Sequence, residues 1–186
     1  MKKQWSVLAV VGAAVLLGIA GCGGSSSTGS PDTSSSAPKA LGGAVSKYQV
    51  AEALQPLTRA VVAYTDSDYG TDPADPATLA LAEDNYRKVQ SAEDSWRDFA
   101  SGIDYAASDI AGLQEAIAEY NEALDNWQGL QDSGLATWRN CVAGGSNSGQ
   151  VAMCLMEGYS ADNEQAALTQ YTTAVKRLLN VLGVEL

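Results

Sequence analysis

Carboxylates dominate the reactive side chains of this sequence, which has 22 Asp and Glu residues, no histidine and three cysteines. The densest group is Asp66-Ser-Asp68-Tyr-Gly70-Thr-Asp72-Pro-Ala-Asp75. Alternate carboxylates around a tight turn are how a hard cation collects oxygen ligands, which makes Asp66, Asp68 and Asp72 the candidate metal ligands. Glu93 is the second candidate. It falls on an otherwise apolar helical stripe, between Val89 and Trp96. Within a pocket it would be a polar contact for a small apolar ligand, with Tyr86 and Trp96 as its neighbours. As a stripe-edge residue it would instead reach water or pair with Arg97. Trp138 and Arg139 are the third candidate, a binding surface on a short segment near Cys141, since large aromatics and arginine anchor interfaces. The usual base and nucleophile pairs of catalysis are missing without histidine, so the chain is expected not to be an enzyme.

The acidic stretch partly resembles an EF-hand loop. Asp66, Asp68 and Asp72 match its first, third and seventh positions. Gly70 stands at a ligand position, Thr71 at the glycine position and Ala77 at the place of the bidentate glutamate. The competing reading is an acidic interhelical turn, with Gly70 as a helix stop and Asp75 as a cap.

The elements that must position these residues are helical throughout. Ala, Leu, Glu, Gln and Asp dominate, and no period-two strand pattern survives five residues. A first helix is expected from about Ser46 to Thr65, with Pro56 kinking it or setting its start. A second runs from about Pro76 to Ser101 behind an Asp75-Pro76 start signal, and carries the stripe Leu79, Ala82, Tyr86, Val89, Glu93, Trp96, Ala100 and Ile103. A turn at Ser101-Gly102 divides it from a third, which starts between Asp104 and Asp109 and carries Ile110, Leu113, Ile117, Tyr120, Leu124 and Trp127. Gly129 and Gly134 then suggest a break before a short extra helix bearing Trp138 and Cys141. The stretch 143–149 reads as a flexible loop, Val151 to Met156 as a helical turn, and Ser160 as the start of the last helix. The fold class expected is all-α: an antiparallel four-helix-type bundle with a short extra helix and one disulfide, behind a disordered N-terminal tether. Trp96 and Trp127 fall on inward positions and belong to its core.

The N-terminus decides where such a domain would sit. Lys2 and Lys3 precede an apolar run from Val7 to Leu17, too short for a spanning helix, which ends Ile19-Ala20-Gly21-Cys22. This end resembles the lipobox of bacterial lipoproteins. The resemblance covers residues 1–22. It implies cleavage after Gly21, diacylglycerol and acyl chains on Cys22, and a cell-membrane location on the extracytoplasmic face. The expected organisation is a signal peptide over 1–21, a lipid-anchored Gly/Ser/Thr/Pro-rich tether over 22–46, and a helical domain over 47–186. The 24 residues from Gly23 to Ser46 would span about 27 Å as a flexible coil.

Charge and cysteine count agree with that setting. The chain has 11 basic and 22 acidic residues. Cleavage would remove Lys2 and Lys3, leaving nine against 22, or −13. This argues against nucleic acid and against an anionic lipid surface as partners. With Cys22 lipidated, Cys141 and Cys154 form an even pair, and an oxidising compartment favours their disulfide. No cofactor is expected beyond the lipid on Cys22. The functional expectation is a lipid-anchored binding or protein-interaction module of the envelope, an assembly partner or a surface blocker such as a phage-exclusion factor. Its partners would be the membrane, through the anchor, and an envelope protein or small ligand. The alternatives are a carrier of a small apolar ligand and a cation-binding module built on 66–75.

Overall fold

Ser46 starts the first helix, α1 (Lys47–Asp66), by a reciprocal cap. Its hydroxyl accepts from the Gln49 N–H at 3.3 Å, and its own N–H donates to Gln49 Oε1 at 2.9 Å. Pro56 lies within the helix and does not set its start. Its missing N–H removes the helical bond to the carbonyl of Glu52, a residue exposed to solvent. The computed structural model describes residues 44–67, 69, 72–145, 147–158 and 161–184. Cys22, the signal segment and the tether up to residue 43 lie outside the described residues, as does Asp68. Val45, at the end of the expected tether, is already buried against the core.

Helix α2 (Pro76–Ser101) begins at Asp75, whose carboxylate accepts from the Ala77 N–H at 2.9 Å, with Pro76 in the first turn. It stops where expected. Gly102 ends it by donating its N–H to the Phe99 carbonyl at 3.1 Å. The third helix differs from expectation at both ends. Residues 103–112 are turns, with the Asp104 carboxylate accepting from the N–H groups of Ala106 and Ala107. Helix α3 (Leu113–Gly144) starts only after Gly112, which takes φ +75°. Ile103 and Ile110 are buried although neither is helical, so the apolar rhythm of the sequence continued across a loop.

Nor does α3 break at Gly129 or Gly134. It runs 32 residues, about 48 Å, and absorbs the segment that carries Trp138 and Cys141. Each glycine costs about 1 kcal/mol in a helix. Trp127 and Leu135, both buried, flank the two and hold the helix through them. The short extra helix is instead α4 (Ser148–Gly158), which contains the expected helical turn over 151–156, while the expected 143–149 loop is shortened from both sides to 145–147. Helix α5 (Ala161–Leu182) completes the chain. Among the described residues no helix is long and apolar enough to cross a membrane.

Named contacts define the path. Lys47 lies near Gly183, and Gly112 near Val181, at one end. At the other, Tyr64 donates to Gln131 Oε1 at 3.0 Å, Arg139 pairs with Glu83 at 2.7 Å and Trp138 reaches Pro73. Helices α1 and α3 therefore run one way and α2 and α5 the other, an up-down-up-down bundle. The tightest neighbours are α3 with α5 and α1 with α2.

Aromatic rings form a continuous line inside it. Phe99, Trp96, Tyr120, Tyr171, Trp127, Tyr64 and Tyr86 follow one another with centroids 5.5 to 6.1 Å apart. Trp96 and Trp127 are buried, as their inward positions require. Edge-to-face and offset geometries of this kind add about 0.5–1.5 kcal/mol per pair beyond the area buried.

Helix α4 is held differently. It has one buried residue, Val151. Its attachment is the Cys141–Cys154 disulfide, with Cα atoms 5.7 Å apart, the pairing expected from cysteine count. The turn before it is tight. A Cβ at Gly145 would lie 2.5 Å from Val151 Cγ2 and 2.9 Å from the Cys141 carbonyl, so only glycine lets α4 fold back on α3.

Candidate functional site

Glu93 is buried, and two helices engage it. Arg97, one turn later on α2, donates to Oε1 at 2.6 Å. Gln128, on α3, donates to Oε2. Arg97 also pairs with Asp125 of α3. Burial pulls the Arg97 guanidinium down, and the two carboxylates more than offset it, so the group is held above its ordinary value. The arrangement is a polar clasp between α2 and α3, with each Glu93 oxygen already accepting a hydrogen bond. Pairing with Arg97 was readable from the i, i+4 spacing. Gln128 was not, because it lies 35 residues away.

The other two members of the proposed ligand pocket are likewise held. The Trp96 indole N–H donates to Asn121 Oδ1 at 2.9 Å, and the Tyr86 hydroxyl donates to the Gln128 carbonyl at 3.2 Å. Burial pushes the Tyr86 and Tyr64 hydroxyls well above the usual phenol range. A shallow recess of about 220 Å³ opens between α2 and α3, lined by Glu83, Arg87, Gln90, Asp132, Leu135, Arg139 and the edge of Tyr86. Of Glu93, Tyr86 and Trp96, only Tyr86 reaches it. The recess is polar and carries charges of both signs.

The acidic link between α1 and α2 is tied into the fold. Asp66 is the last residue of α1, and Asp75 caps α2. Asp72 accepts from the Ser148 hydroxyl at 2.8 Å and from the Ala74 N–H at 2.9 Å, and the serine bond holds its carboxyl below the usual range. Among the described residues no three Asp, Glu, Cys or His side chains gather as a metal site.

Trp138 is half-buried against the core, and its indole N–H donates to the Pro73 carbonyl at 2.7 Å. It thereby pins the α1–α2 link to α3. Arg139 is exposed and bonded to Glu83. The large apolar side chains that do face solvent at this end are Leu81 of α2 and, most of all, Met153 and Met156 of α4, 62% and 73% exposed. The sequence carried a signal for the methionines: residues 140–156 contain no charged side chain, the longest such run after residue 47.

No protein-family model matches the chain, no curated protein matches it, and no solved structure matches it.

Proposed function

We propose that this chain is a lipid-anchored, extracytoplasmic interaction module of a bacterial envelope, held by acyl chains on Cys22 and carrying its helical bundle on the tether that follows. The observation that carries the reading is Ile19-Ala20-Gly21-Cys22, placed directly between an apolar run and a Gly/Ser/Thr/Pro-rich stretch. Two or three acyl chains make a stable anchor, because each buried CH₂ contributes about 0.8 kcal/mol. Binding of another macromolecule is favoured over ligand carriage because Glu93, Tyr86 and Trp96 are all bonded within the fold. Binding is favoured over catalysis because the chain has no histidine and its described cysteines are paired.

The test is Cys22→Ala in the native host, read by detergent-phase partitioning and intact mass. The wild-type protein should partition with detergent and carry the mass of the acyl chains, and the variant should lack that mass and be either unprocessed, with residues 1–21 retained, or released from the detergent phase. Equal partitioning and an equal unlipidated mass in both would reject the anchor.

A further inference from the structure

The geometry points to the exposed face of α4 as a docking surface for a basic amphipathic helical segment of another envelope protein. This deepens the interaction-module reading and rests on it. Helix α4 is the most apolar helix of the bundle, yet only Val151 is buried. Met153 and Met156 point into solvent, with Leu155 half-buried beside them. The disulfide and one buried valine hold this helix, and the methionines take no part in either, so its apolar side is left over for something else. Flexible, polarizable thioethers suit a surface that must fit an apolar stripe presented by another helix.

Charge selects among occupants. Glu157 lies on α4 itself and Asp72 is bonded to its Ser148, and the same end of the bundle carries Asp75, Asp132, Asp162 and Glu164, all exposed but the last. The nearby cations Arg139 and Arg87 are paired, with Glu83 and Asp84. A second copy of this chain would bring like charges together, and anionic lipid would be repelled. The chain's own N-terminal segment enters at Ala44, at the opposite end of the bundle, and residues 22–43 offer Leu41 as their one large apolar side chain. A helix with lysines and arginines flanking a Leu or Phe stripe satisfies both the methionines and the carboxylates at this end of the bundle.

The experiment is photo-crosslinking in the native host from a reactive residue placed at 153 or 156, with exposed apolar controls at position 48, at the opposite end of the bundle, and at position 81, on α2. The crosslinked peptide is mapped by mass spectrometry. The expected product joins position 153 or 156 to a basic amphipathic segment, and Glu157→Lys with Asp162→Lys lowers its yield at least fivefold. A crosslink from α4 to lipid, to a second copy, to residues 22–43 or to a segment without net positive charge would overturn the proposal. So would a yield indifferent to the two charge reversals. Crosslinks from 48 or 81 alone would overturn this surface and leave the module reading standing. No macromolecular crosslink from any of the four positions, on a chain shown to be lipidated, would overturn both.

Discussion

Replacing Cys141 and Cys154 together by alanine should release α4 while leaving the bundle folded. The bridge closes 14 residues, which by chain entropy contributes about 3 kcal/mol. Against its loss α4 has few other holds. One buried valine supplies about 1.5–3 kcal/mol, and 11 residues fall below the ~12–15 at which helices persist in water unaided. The rest of the core does not depend on α4, because the aromatic line and the α1–α2 and α3–α5 contacts lie elsewhere. The effect is therefore local. Hydrogen exchange read by mass spectrometry should show amides of 148–158 losing roughly 150-fold in protection, the equivalent of that 3 kcal/mol. Peptides from α1, α2 and α5 should exchange as in the wild type. Unchanged protection over 148–158 would show that packing, not the bridge, holds α4. A uniform loss across all five helices would show that α4 is part of the cooperative core. Either result refutes the reasoning.

Trp96→Ala and Trp127→Ala should each cost about 3–5 kcal/mol in a urea melt, whereas the half-buried Trp138→Ala should cost about 2, its bond to Pro73 included; three equal losses would put Trp138 in the core. Gly145→Ala should cost about 1–3 kcal/mol, because the added Cβ must displace Val151 or the Cys141 carbonyl, and a wild-type urea midpoint would contradict the close approach. Stability should fall as pH rises from about 10 toward 12. Unfolded tyrosines ionise near 10, while burial pushes Tyr171 up to about 12, so the folded state binds more protons across that window. The stabilisation is complete below pH 10 and lost above it. Tyrosinate absorbance should therefore appear together with loss of helical circular dichroism, and ionisation of every tyrosine near pH 10 with the helix signal intact would refute it.

The readable parts of the fold were those in which one residue does a local job. Asp75-Pro76 starts a helix and Gly102 stops one, because cap chemistry needs only its nearest neighbours. The disulfide followed from counting cysteines. The two departures in the third helix have different causes. Apolar spacing reports which side chains face the core, not which backbone is helical, so Ile103 and Ile110 extended the pattern through a loop. Glycine reports a local cost, so Gly129 and Gly134 marked a break that the packing of Trp127 and Leu135 overrides. The candidate residues divide the same way. Glu93 with Arg97 could be read along one helix. Glu93 with Gln128, Trp138 with Pro73 and Asp72 with Ser148 join residues 35 to 76 positions apart, and no periodicity encodes such pairs. Met153 and Met156 lie in a stretch that reads only as a helical turn, too short for its spacing to say which side chains meet the core.

The opposed positions of Ala44 and α4 also determine how the bundle would carry force. A pull between them runs along the helix axes. It draws α1 out lengthwise by its N-terminus, so the nine buried residues of that helix must slide past α2 and α5 together instead of peeling off turn by turn. At the far end the load enters α4, passes through a covalent bond at Cys154–Cys141 and spreads into the longest helix, bypassing the single valine that would otherwise yield first. The chain is thus built as a strut loaded in shear, with its weakest seam welded.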